Sequence, residues 1–181
     1  MSETLNRLTT ISKYGGIGAN VLMILMIIAA VAAVIALAAV AVNADLIIDL
    51  VERYGGVWDL PISKDRLAPV AAALIPCVII ILSLIIAILY FVARLLTNIH
   101  ENNTPFTDEN ADTLVKIAIL TLICTIVIPI LDFAIQRMID SGYYQSYGFG
   151  LFPLFVAGLL YLLSLVFKHG AELQKEADET L

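Results

Sequence analysis

The sequence predicts an all-α fold, an integral membrane four-helix bundle with an extra amphipathic helix in the first outside loop. Three observations carry that expectation. Of 181 residues, 61% are hydrophobic and only 14% charged, whereas a soluble domain carries about a quarter charged residues. The mean hydropathy is +0.96. The apolar residues gather in four runs, Ile17 to Val42, Leu67 to Ala93, Ile117 to Leu131 and Phe149 to Phe167, none containing Asp, Glu, Lys or Arg. A bilayer core requires about 20 apolar residues per helix. Three runs meet this, and the run from Ile117 meets it only if its helix continues through Asp132 to Gln136. The chain is therefore expected to form a single transmembrane domain over residues 1–181, with spans at 17–42, 67–93, 116–136 and 149–168 and a polar tail at 169–181.

This composition excludes a secreted disulfide scaffold, a disordered chain and an ordinary soluble enzyme. A net charge of −6 with only ten Lys and Arg, none clustered, offers no electrostatic footprint for nucleic acid and no polybasic patch for anionic lipid. Membrane lipids are expected partners and direct contact with nucleic acid is not. Cys77 and Cys124 both lie inside apolar runs and read as small buried hydrophobes. The first run is longer than the apolar core of a cleavable signal peptide, so it reads as a retained span. Flanking Lys and Arg set orientation. Arg7, Lys13, Arg94, Lys116, Lys168 and Lys175 fall on one side and Arg53, Lys64, Arg66 and Arg137 on the other, which places both termini in the cytoplasm.

Each element has its own local logic. In span one, Ala29, Ala32, Ala33, Ala36 and Ala39 stack along one helical face, a small-residue seam suited to close backbone approach. The seam serves either another helix of the same chain or a second copy in a homo-oligomer. In the first outside loop, Leu46, Ile47, Leu50, Val51 and Tyr54 repeat at helical spacing between Asp45, Asp49, Glu52 and Arg53, and Gly55 and Gly56 end the helix. It caps the bundle or forms a lid. Pro69 and Pro153 fall in first turns, where a missing amide hydrogen costs little, while Pro76 and Pro129 fall deeper and are expected to bend spans two and three.

Between spans two and three, Pro105 keeps the preceding chain out of helix. Thr107 is an N-cap candidate, with Asp108 and Glu109 in the first turn where the helix dipole favours negative charge. Phe106 and Ala111 stand at the positions of a weak hydrophobic staple. Asp132 is the single acid within a span. Counting from Lys116 at ~1.5 Å per residue puts it roughly 24 Å up, near the far headgroups. It serves there as an interface anchor paired with Arg137, or as a proton or cation contact beside Pro129. In the tail, Lys168 with Glu172 and Lys175 with Glu179 stand at i, i+4 spacing, so a solvated helical extension or an acidic docking peptide is expected.

Two segments carry a resemblance. Asn98-Ile99-His100, then Pro105-Phe106-Thr107 followed by Glu109, Asn110 and Leu114, and finally Gly170-Ala171-Glu172-Leu173-Gln174 with Glu176, Asp178, Glu179, Thr180 and Leu181, resemble a bacterial family of four-span membrane proteins catalogued as domain of unknown function 2975. Where that family commonly has glycine before Pro-Phe-Thr, this chain has Asn103-Thr104. The family has no established biochemical activity, and its members are often encoded beside a small helix-turn-helix regulator of the Xre type. The resemblance implies a regulatory or accessory membrane role.

Catalytic chemistry is thinly represented. His100 and His169 are the only histidines, with no Cys or carboxylate at fixed ligand spacing, so neither an enzyme, a metal nor a cofactor is expected. Two functions remain. In the first, the elbow and tail form a cytoplasmic docking face for a protein such as a basic helix-turn-helix regulator, with Asn98, His100, Pro105, Phe106, Thr107, Glu109, Asn110, Glu172, Gln174, Glu176 and Asp178 as candidate contacts. In the second, a small transporter, channel subunit or immunity-type protein binds a ligand between bent spans, with Asp132 as its intramembrane polar site.

Overall fold

A computed structural model describes residues 3–46, 49, 66–139 and 151–179, and their regular structure is helical throughout. Four long helices follow in order, α1 (Glu3–Val42), α2 (Leu67–Asn102), α3 (Asp108–Ile139) and α4 (Leu151–Glu179). Each is long and apolar enough to cross a membrane, as a four-span protein requires. The 36 residues of α2 extend ~54 Å at 1.5 Å per residue, well beyond the ~30 Å hydrocarbon core. Its polar C-terminal turns therefore project out of the apolar layer. α3 runs without a break through Asp132 and Gln136, as its short apolar run demanded. Pro69 and Pro153 are the third residues of α2 and α4, while Pro76 and Pro129 sit inside α2 and α3, each removing one backbone rung. Of the expected amphipathic helix, Ala44, Asp45, Leu46 and Asp49 are helical; Ile47, Leu50, Val51 and Tyr54 lie outside the described residues.

The chain forms two compact units. One comprises Met1–Met26, Leu84–Thr125 and Gly150–Leu181. Its interior is built largely of small and polar side chains: α4 buries Ala157, Ser164 and Ala171 at intervals of seven, and α3 buries Asn110, Ala111, Thr113 and Ala118 beside Leu114 and Ile117. Large side chains such as Ile17, Val21, Leu159 and Leu162 point outward. This inversion suits a chain solvated by lipid, where close packing of small residues replaces the hydrophobic drive between helices. Buried hydroxyls bond to their own helices, Ser12 Oγ to Leu8 O (2.8 Å), Thr113 Oγ1 to Glu109 O (2.8 Å) and Ser164 Oγ to Tyr161 O (2.6 Å), so none is left unsatisfied by burial. The other unit comprises Ile27–Ser83 and Ile126–Phe149, with Leu67, Val70 and Ala71 buried.

The alanine face of α1 is not the seam within the chain. Ala29, Ala32, Ala36 and Ala39 are exposed and Ala33 is half-buried. α1 instead buries Thr9, Ser12 and Gly16, one turn or two apart. A Cβ at Gly15 would stand 3.2 Å from Leu96 Cδ1, and one at Gly16 would stand 3.3 Å from Thr97 Oγ1 and 3.6 Å from the Thr97 backbone nitrogen. Absence of a side chain at this glycine pair brings α1 nearer to α2 than an alanine stripe allows.

The elbow begins with a left-handed residue. α2 stops at Asn102, and Asn103 has φ of 54°, the only non-glycine positive φ among the described residues. Helices commonly end in this way, with Gly preferred and Asn next, because other side chains crowd the carbonyl there. Asn103→Ala is expected to lower stability by about 1 kcal/mol and Asn103→Gly to leave it unchanged or slightly raised, measured by thermal melting in detergent. Equal melting of the two variants would contradict this reading.

Candidate functional site at the elbow and tail

Amides hold the elbow from within. Asn110, in the first turn of α3, is 0% exposed yet hydrogen-bonded at both ends of its amide: its Oδ1 accepts from Asn98 Nδ2 (3.0 Å) and its Nδ2 donates to Pro105 O (3.0 Å). Asn102 Nδ2 extends the chain to Asn98 Oδ1 (2.9 Å) and Asn98 O (3.0 Å). The end of α2, the turn and the start of α3 are tied by a continuous line of donors and acceptors, each polarising the next. Thr107 caps α3 as its position predicts, Oγ1 accepting from the Asn110 backbone nitrogen (3.2 Å). Upstream, Thr104 Oγ1 accepts from the Phe106 backbone nitrogen (3.2 Å). Beside this network the Nδ1 of His100 is buried without a hydrogen-bond partner.

The tail docks onto the elbow. The Phe106 ring meets Phe167 edge-on, centroids 5.7 Å apart and planes at 72°, the arrangement favoured by ring quadrupoles. Its other neighbour is Gly170. A Cβ there would overlap the ring, 2.8 Å from Cγ and 3.0 Å from Cε1, so only glycine admits Phe106 against α4. One turn further, Gln174 Oε1 accepts from Thr104 Oγ1 (3.3 Å), and Lys175 Nζ reaches Asp108 Oδ2 (2.6 Å). Lys175 therefore serves another helix rather than the i, i+4 pair with Glu179 as its charge partner. That pair has the base N-terminal to the acid, the weaker order along a helix.

Charges frame the latch. Arg94 donates to Glu109 Oε1 from both Nε (3.2 Å) and Nη2 (2.7 Å). Hydrogen bonds from Arg94, and secondarily from Asn98, hold the Glu109 carboxyl below the usual carboxylate range. Lys175, by hydrogen bond and by charge, lowers Asp108 in the same way, and Asp108 raises Lys175. Each lowered carboxylate contributes stability above its unfolded pKa that is lost as pH falls through the folded value. The raised lysine contributes stability that is lost as pH rises through its own. Tail docking is thus strongest in the broad interval between carboxylate and lysine titration. Both groups are over half exposed, so salt weakens the pair as well. A spin label at Asp178 is expected to gain mobility in acid and in high salt, and more so at neutral pH in Asp108→Asn. Mobility indifferent to all three would remove the ion pair from the latch.

Asp132 accepts a hydrogen bond from Gln136 Nε2 at 2.9 Å. The expected pairing with Arg137 gives way to a different one, the Arg137 guanidinium standing 5.1 Å from the centroid of the Phe133 ring. Helix geometry explains the exchange. Positions four apart share a face, whereas five apart diverge.

The structure thus sorts the candidate residues. Asn98, Pro105, Thr107 and Asn110 build the elbow; Phe106 and Gln174 fasten the tail; Glu109 anchors Arg94. Glu172, Glu176 and Asp178 are exposed on the tail helix, Glu172 lying 3.7 Å from His169 Nδ1. Phe167 and Lys175 complete the latch, although the sequence alone reads Phe167 as the end of an apolar run and Lys175 as a member of a local pair. Among the described residues, no three His, Cys, Asp or Glu converge as metal ligands would.

The profile of a family described as Protein of unknown function (DUF2975) matches residues 57–181. The match takes in α2, the elbow, α3, α4 and the tail, and begins after α1. No curated protein and no solved structure matches the chain.

Proposed function

The chain belongs to the membrane-protein family described as Protein of unknown function (DUF2975), and we propose that within it this protein is a non-enzymatic regulatory or accessory component whose latched elbow and tail dock a cytoplasmic protein. The observation that carries this reading is the union of two segments far apart in sequence. Thr104, Phe106 and Asp108 hold Phe167, Gly170, Gln174 and Lys175, so the two motifs make one surface. Around the Lys175–Asp108 pair the tail helix carries Glu172, Asp178 and Glu179, all exposed. An acidic face of this kind complements a basic partner such as a helix-turn-helix regulator. The four apolar helices serve as anchor, and both termini face the cytoplasm of a bacterial inner membrane.

Pull-down of candidate basic regulators on purified full-length protein tests the proposal. Recovery is expected to fall severalfold in Phe106→Ala, which releases the tail, and in a Glu172→Gln/Asp178→Asn variant, which leaves the latch intact. Undiminished recovery with both variants would refute it.

A further inference from the structure

A cleft of about 310 Å³ opens between α1, α2 and α3, lined by Asn20 of α1, Tyr90, Arg94, Thr97 and Glu101 of α2, and Glu109 of α3. Its position is set by sequence. Arg94 follows directly on the apolar run that ends at Ala93, so the cleft straddles the boundary between hydrocarbon and water. Asn20 is the single polar side chain in the run from Ile17 to Val42, and it lines this cleft. Tyr90 stands half exposed at the membrane end, a side chain suited to the headgroup layer. Tyr90, Arg94, Thr97 and Glu101 recur at intervals of three or four and share a face of α2. A polar strip on α2 thus rises out of the apolar layer, with the α1 amide facing its lower end.

The lining sets the ligand's chemistry. One cation against two carboxylates leaves the cleft net acidic, and two of the five N–H donors of Arg94 are already given to Glu109. The remaining donors suit one phosphate oxygen or ester, as guanidinium does wherever it meets phosphate. Glu101 is left to accept from a cation. A primary ammonium supplies three donors to such carboxylates, a quaternary ammonium none, and an anionic glycerol headgroup meets an acidic wall. We propose that this cleft is a binding site for a zwitterionic phospholipid with a primary amine headgroup, phosphatidylethanolamine, its phosphate at Arg94, its ammonium at Glu101 and its acyl chains running down beside Asn20 and Tyr90 into the membrane.

Native mass spectrometry of the purified full-length protein, exchanged against phosphatidylethanolamine, phosphatidylcholine or phosphatidylglycerol of matched acyl chains, reads the site. Retained phosphatidylethanolamine is expected to exceed either other lipid about tenfold, the scale of one charge-assisted hydrogen bond lost. Glu101→Gln is expected to remove that preference while leaving the melting temperature of delipidated protein unchanged. Asn20→Leu, which fills the cleft floor, is expected to lower retention of all three. Soluble phosphoethanolamine is expected not to displace the lipid. Equal retention of the three lipids, a preference untouched by Glu101→Gln, or displacement by the soluble headgroup would each overturn the proposal.

Discussion

Gly170→Ala is expected to destabilise the protein, and the same substitution is expected to stabilise it once Phe106 has been truncated to alanine. In the native chain a methyl at residue 170 occupies space held by the Phe106 ring. The ring must leave its edge-on contact with Phe167, or α4 must move away from the elbow. Overpacking of this kind costs about 1–3 kcal/mol, and the lost aromatic pair accounts for about 0.5–1.5 kcal/mol of it. In Phe106→Ala the obstruction is gone, and only the backbone term remains. Gly170 lies within α4, and alanine in a helix interior is better than glycine by about 0.5–1 kcal/mol. The sign therefore reverses between backgrounds, the coupling expected of residues in contact. Thermal melting of the four proteins of this cycle in one detergent measures it. Identical shifts in the two backgrounds would show that residue 170 does not meet Phe106. The released tail should also carry the spin-label mobility expected of Asp108→Asn.

Asn110→Ala is expected to cost about 3 kcal/mol, the largest single loss in the elbow. Truncation strands the Asn98 amide and the Pro105 carbonyl and leaves a gap at a position without solvent access, and each buried unsatisfied group costs about 1–3 kcal/mol. Asn110→Asp separates hydrogen bonding from packing. Its carboxylate still accepts from Asn98, but only the protonated acid can donate to Pro105 O. The folded state therefore raises the pKa of the introduced acid. Its stability is fully present below the unfolded value and is lost as pH rises through the folded one. Melting of Asn110→Asp relative to wild type should be closest in acid and furthest apart at neutral pH. A deficit that does not vary with pH would mean that Asn110 supports the elbow by shape alone.

Much of the fold was legible because its causes are local. The apolar runs mark the helices since a backbone in hydrocarbon has no other way to satisfy its amides. Thr107 reads as an N-cap from its side chain and the acids that follow, and the structure places its oxygen 3.2 Å from the Asn110 nitrogen. The continuation of α3 through Asp132 follows from the length a bilayer imposes. The partners of Arg137 and Lys175 were misread for one reason. Charge and spacing along one helix propose the neighbours within reach, but a ring on the same face or an acid on another helix can hold the cation better. The seam of α1 within the chain was misplaced likewise. Five stacked alanines are conspicuous in sequence, but Gly15 and Gly16 lie where Leu96 and Thr97 come closest.

By itself, the sequence determined that four helices form around the four apolar runs and that its scarce charges gather beyond those runs, because length, hydropathy and capping act through bonds between near neighbours. Only the tertiary structure decided what the motif residues do. Phe106 and Gly170 are 64 positions apart, and nothing in the local chemistry of either requires the other. A ring and the missing methyl that makes room for it become one feature when α4 lies against the elbow, because steric fit depends on distance in space and not along the chain.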